Sequence, residues 1–238
     1  MPHRNTYKRS YGPSLRRPRK RRGRRLLVAA LAALLLLAAG LFVLERYGLV
    51  NILHRSGLEK PLAEMGLLEP RPEIGAVVDS FNGVAVYFNG PVGNVSGRNS
   101  APDGYNLGQK YQCVEFVKRY YFEALGHKMP DPWGHAKNFY DPAVPDGHPN
   151  PARGLTQYRN GGKGRPRAED LIVFGGGLYG HVAIISEVGA DYIEIVQQNP
   201  GPYHPSRERH RLFEETRNGE SFWQVDGPRN TLGWLRKQ

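Results

Sequence analysis

The sequence predicts an α+β domain, one helix packed on an antiparallel sheet, carried behind a single membrane-spanning segment. Three observations predict it. Residues 26–44 are apolar or small and carry no charge. One strongly periodic helical pattern occupies 112–125. Short β-rich runs lie on both sides of that pattern.

The chain of 238 residues carries 33 basic and 22 acidic side chains. Eleven of the basic residues, from Arg4 to Arg25, fall within 1–25, a stretch with no Asp or Glu. The remainder holds 22 basic residues against 22 acidic ones. The whole excess therefore sits in the tail, and the globular part lacks the basic balance that neutralises phosphates. Nucleic acid is not an expected partner.

The run LLVAALAALLLLAAGLFVL at 26–44 is long enough to span a bilayer core as a helix. A helix buried in a protein core would show a polar face, and this one has none. A cleaved signal peptide is the competing reading. Its apolar region is usually shorter, and Ala38-Ala39-Gly40 is followed by more apolar residues. Arg21, Arg22, Arg24 and Arg25 flank the N-terminal end, against Glu45 and Arg46 at the other. The positive-inside rule then leaves 1–25 in the cytoplasm of a bacterial cell, in contact with anionic lipid head groups. The globular domain is expected outside the cytoplasmic (inner) membrane.

Residues 45–73 form a juxtamembrane segment. Leu58, Leu62, Met65 and Leu68 are spaced for a short amphipathic helix closed by Pro70 and Pro72. The domain itself runs over 74–238. Ala76–Val78 and Val84–Phe88 read as strands joined at Asn82-Gly83, and Gly90–Gly108 as a loop. Val114, Val117, Tyr121 and Leu125 mark the apolar face of the helix, which Gly126 ends. The Pro-, Gly- and Asn-rich segment 130–167 reads as long loops with a short helix near Gly134–Tyr140. Leu171–Phe174, Val182–Ile185 and Tyr192–Val196 read as three further strands.

Cys113 is the sole cysteine, so no disulfide can form within the chain. A lone cysteine is often a small buried apolar residue. This one opens the helix, where unpaired backbone N–H groups and the helix dipole favour a thiolate, and where its own N–H can help bind an oxyanion. Such a nucleophile needs a base. Of eight histidines, His181 follows Gly180 and opens the run Val182-Ala183-Ile184-Ile185. His127, His135, His148, His204 and His210 sit in polar, loop-like contexts that read as exposed. A third polar group should hold the imidazole in the right tautomer. Gln197 and Asn199 would share a face by strand alternation, and either side-chain oxygen could accept its N–H. No metal-ligand spacing or phosphate loop occurs, so neither a metal nor a cofactor is expected.

The segments Gln112-Cys113-Val114-Glu115-Phe116, Gly180-His181-Val182-Ala183-Ile184-Ile185 and Gln198-Asn199 together resemble a CHAP domain, a cysteine- and histidine-dependent amidohydrolase of papain-like fold. Val84-Ala85-Val86-Tyr87, Tyr158-x-Asn160-Gly161, the run from Asp170 to Phe174 and Leu232-Gly233-Trp234 are similar to the amidase half of bifunctional glutathionylspermidine synthetase/amidase. The resemblance covers about residues 75–238. It implies that Cys113 forms a thioester with an amide carbonyl and that His181 protonates the leaving amine. It does not extend to the ATP-dependent synthetase half, so no ligase activity is expected. One departure is notable, because that subfamily has an acidic residue where this chain has Gln197. Topology points to a peptide of peptidoglycan or another envelope peptide as substrate. The resemblance points instead to a glutathione–polyamine amide. A catalytically weak module that binds cell-wall peptide is the reading from a different class.

Overall fold

The computed structural model describes residues 28–37, 61–62, 65–66, 71–202 and 204–238. The chain divides into two compact units, Met1–Leu68 and Glu69–Gln238. In the first, residues 28–37 are helical, and Leu34, Leu35, Leu36 and Leu37 are exposed. The basic tail, the rest of the 26–44 segment and most of the juxtamembrane stretch lie outside the described residues. Among the described residues, no helix is long and apolar enough to cross a membrane.

The second unit is a mixed α/β fold with one α-helix and a curled antiparallel sheet. It opens with the hairpin β1 (Val77–Phe81) and β2 (Val84–Tyr87), turned at Asn82-Gly83, both with positive φ. The 90–108 stretch read as loop contains a second small hairpin, β3 (Arg98–Ser100) and β4 (Asn106–Gln109). The helix Cys113–Glu123 follows, and then a 3-10 turn, Ala136–Phe139, inside the expected short helix.

The main sheet has eight strands. They are β5 (His148–Asn150), β6 (Leu155–Arg159), β7 (Leu171–Phe174), β8 (His181–Val188), β9 (Tyr192–Val196), β10 (Arg207–Arg217), β11 (Glu220–Asp226) and β12 (Thr231–Arg236). Their spatial order is β11-β10-β9-β8-β7-β12-β6-β5. The last strand of the chain thus inserts between β7 and β6, antiparallel to both.

The continuous apolar runs of β7 and β8 have a simple cause, which is that both faces of the sheet are covered. Leu171, Val173, Val182 and Ile184 meet Phe116, Val117, Tyr120 and Tyr121 of the helix. Ile172, Phe174, Ala183 and Ile185 point the other way and pack with Ile195, Leu212, Val225 and Trp234. Leu212 and Val225 can join that second core because β10 and β11 curl over it. A bridge from Gly162 to Trp223 ties the curl down: the Gly161 N–H donates to Trp223 O at 2.7 Å and the Trp223 N–H to Gly162 O at 2.8 Å.

Candidate active site

The helix brings Cys113 to the sheet at the start of β8. Gly108 permits the approach: a Cβ there would lie 3.2 Å from Cα of Glu115. Behind the cysteine, a buried polar network fixes the helix start. The Glu115 carboxylate accepts from Arg119 Nε and Asn99 Nδ2 at 2.7 Å and from Gln198 Nε2 at 2.8 Å. Gln198 Oε1 in turn accepts the Tyr87 N–H at 2.8 Å. Helix, hairpin and the end of β9 are thereby locked together.

His181 opens β8, and Gly180 makes that start possible. Gly180 has φ +71°, and a Cβ on it would lie 2.6 Å from the Phe174 carbonyl oxygen. His181 Nε2 is 2.9 Å from Gln197 Oε1. The Gln197 amide nitrogen donates to Pro205 O at 3.2 Å and Glu208 Oε2 at 3.1 Å, while Arg229 Nη1 donates to its oxygen at 3.0 Å. This surrounding set fixes which way the amide faces. Its oxygen can only accept, so Nε2 carries the imidazole proton and Nδ1 keeps a lone pair.

Cys113 and His181, each 9% exposed, line one cavity of about 750 Å³. The backbone N–H groups of Val182, Val114 and Cys113 itself lie on the side of the sulfur. These favour a thiolate, as the sequence argument expected, but burial outweighs them and pushes the thiol pKa up. Burial likewise pushes the imidazole of His181 down to about 3, helped by the charge of Arg229 and opposed by the hydrogen bond to Gln197. The resting pair is thus neutral thiol and neutral imidazole, and the expected low-pKa thiolate is corrected to a buried thiol. Such a pair suits proton transfer to the imidazole as the sulfur attacks.

Asn199 lines the same cavity, in a different role from the one strand alternation suggested. The strand ends at Val196, and Asn199 has φ +58°, so alternation does not carry through to it. Its amide nitrogen donates to Gln112 Oε1 at 2.7 Å and Val92 O at 3.0 Å. It holds the residue that precedes Cys113. Gly180 lines the cavity, whereas Gly175 packs against Leu232 and Asn230. His210, read as exposed, is buried on β10. Its strand has an apolar inward face that the loop-like reading missed. Glu208 and Arg229 were not singled out by sequence, because only the pairing of β10 with β9 brings Glu208 beside Gln197.

A thiol at a helix start and an imidazole at a strand start, in one cleft of this fold, define the class: an amidase-type hydrolase domain. More particularly, residues 103–199 match the CHAP domain family, and this part of the chain is a CHAP domain. Over 112 residues, 44% of the chain, it is 37% identical to trypanothione synthetase of Crithidia fasciculata, covering 16% of that protein. Over 145 residues, 56% of the chain, it is 31% identical to glutathionylspermidine synthase of the same organism, covering 19% of that protein. The chain thus matches less than a fifth of the length of either relative.

Proposed function

We propose that the chain is a membrane-anchored thiol amidohydrolase cutting a peptide-like amide through an acyl-enzyme on Cys113. The observation that carries this reading is a buried thiol and an imidazole lining one cleft, the imidazole Nε2 engaged by Gln197 and its Nδ1 without a hydrogen-bond partner among the described residues. In the first half-reaction, the sulfur forms a bond to the amide carbon as its proton passes to Nδ1 of His181. Backbone N–H groups at the helix start face the developing oxyanion. The carbon–nitrogen bond then breaks, and the same proton leaves with the amine. In the second half-reaction, His181 takes a proton from water, the hydroxyl adds to the thioester carbon, and the proton returns to sulfur as the acid departs.

The apolar run at 26–44 and its basic flank support an envelope location, with a peptidoglycan peptide or another envelope peptide as substrate. A second reading is favoured by the names of the two relatives, which point to a glutathione–polyamine amide. Incubating the full chain with purified peptidoglycan and, separately, with glutathionylspermidine tests both. New amines and their masses identify the scissile bond. A protein that binds peptidoglycan and releases no amine from either substrate is a binding module, and the enzymatic reading then fails. A reporter fused after Gln238 tests location, since activity on the cytoplasmic side would reverse the topology.

A further inference from the structure

The cleft beside Cys113 has a charge character that neither the sulfur nor the imidazole requires. Among the described residues lining it there is no Asp or Glu, and Arg98 is its one guanidinium. Arg98 has no carboxylate within ion-pair reach among the described residues. Its Nη1 donates to Asn106 Oδ1 at 2.9 Å, and its guanidinium lies 5.2 Å from the centre of the Trp133 ring.

The wall behind Trp133 is also cationic. Lys118, fully buried, donates from Nζ to the carbonyls of Asn106 and Pro132. Arg153, also buried, donates to Asp131 O at 2.5 Å and to Trp133 O at 3.2 Å. Both cations are held by carbonyl dipoles, and neither has a carboxylate partner among the described residues. Burial, then the charges of Arg153 and Arg98, push Lys118 down to about 8. Against these three cations stand two nearby carboxylates, Asp131, whose Oδ1 accepts the Trp133 N–H at 2.9 Å, and Glu115, which is already paired with Arg119. The wall therefore carries more positive charge than it balances.

The same contacts fix the Trp133 backbone while its side chain is left 59% exposed at the rim. Tyr179, equally open, also lines the cleft, its ring 4.8 Å from that of His135. Fixed, exposed aromatic rings are surfaces for stacking. A cationic ligand gains little from the Trp133 face, because Arg98 already lies over it.

We propose that this cleft selects a substrate bearing a carboxylate, which Arg98 receives while Trp133 packs against its apolar part, and that it disfavours a polycationic amine. This deepens the assignment of Cys113 as nucleophile and rests on it. A carboxylate-bearing peptide can come from the cell envelope or from glutathione, and the chemistry of recognition is shared.

The test uses Cys113 itself, which as the sole cysteine is read by mass in the full chain. Second-order rates of alkylation by iodoacetate, iodoacetamide and 2-bromoethylamine are compared with those of N-acetylcysteine. The expected result is an iodoacetate-to-iodoacetamide ratio about fivefold above that of the free thiol, the size of one partly screened charge contact. The excess should vanish in Arg98→Gln and persist in Arg98→Lys. A ratio equal to that of N-acetylcysteine, a ratio unchanged in Arg98→Gln, or a preference for 2-bromoethylamine overturns the proposal. Failure of the nucleophile assignment looks different: neutral iodoacetamide would react no faster than with N-acetylcysteine, and His181→Ala would change nothing. Protection against iodoacetamide then separates the sources. S-methylglutathione or the tripeptide L-Ala-γ-D-Glu-L-Lys should protect, and the stronger of the two names the source, whereas protection by spermidine alone overturns the charge assignment.

Discussion

The imidazole of His181 is held by Gln197 at 2.9 Å, a neutral partner where an acidic one would stabilise an imidazolium more strongly. The carboxylate is displaced by one residue, since Glu208 binds the other end of the same amide at 3.1 Å. Gln197→Ala should therefore lower kcat on the order of tenfold to a hundredfold, by freeing the ring. Gln197→Glu should move the acidic limb of the kcat profile to higher pH by raising the imidazole pKa. A limb that does not move would remove Gln197 from the role of orienting partner.

Glu208 and Arg229 act on that amide with opposite charge, 3.6 Å apart. Glu208→Gln should lower the His181 pKa further, and Arg229→Gln should raise it. The double variant should fall between the two. NMR titration of the His181 ring reads all three values, and shifts of the same sign in both single variants would show that the pair is structural only.

The neutral resting pair has a kinetic signature. Alkylation of Cys113 by iodoacetamide should be slower in D2O, because the thiol proton moves to His181 as the sulfur attacks. His181→Ala should abolish that isotope effect together with the rate excess. Equal rates in the two solvents would indicate a preformed thiolate–imidazolium pair.

Protonation of His181 also bears on stability. Its folded pKa, about 3, lies below the ordinary value of 6.5, so the unfolded chain binds the extra proton between those limits. The neutral ring costs nothing above pH 6.5, and stability is lost as pH falls from there toward 3. The slope is about 1.4 kcal/mol per pH unit. Thermal unfolding between pH 7 and pH 4 should show a smaller decline in His181→Asn than in wild type. Parallel declines would mean that the ring is protonated in the folded state.

Gly180→Ala should destabilise the fold by about 2 kcal/mol or more, or displace the start of β8. The added Cβ meets a backbone oxygen at 2.6 Å and the backbone nitrogen of Lys137 at 2.9 Å, neither of which can swing aside. Calorimetry with Cys113 alkylation rates checks this. A variant with unchanged melting and unchanged reactivity would contradict it.

Much of the fold is legible in the sequence. Tyr192–Val196 is a strand over its full expected length, and the Cys113 helix and the Asn82-Gly83 turn follow from periodicity and turn chemistry. What was missed has a common character. Residues 148–150 and 155–159 lie in a segment rich in Pro, Gly and Asn, and are strands because β12 arrives to pair with β6. Arg207–Arg217 is mostly charged, with Leu212 and Phe213 its only apolar side chains and only His210 and Leu212 buried, so no apolar alternation marks it as a strand. In the candidate site, local pattern pointed to Cys113 and His181, which line one cleft, and to Gln197, which meets the His181 ring. Glu208 depends on register across 11 residues, and the upward shift of the thiol depends on burial, which no local spacing encodes.

The place of β12 sets an order of events. The run Thr231–Arg236 fills the middle of the sheet rather than its edge, and it is made after the seven strands that surround it. Until those residues emerge, β6 and β7 have no partner between them, and their facing backbone groups stay unpaired. The sheet therefore closes only once residues 231–236 have been made. A chain cut after Pro228 loses the centre of its sheet, including Trp234 and Leu235, while keeping every described residue that lines the cleft.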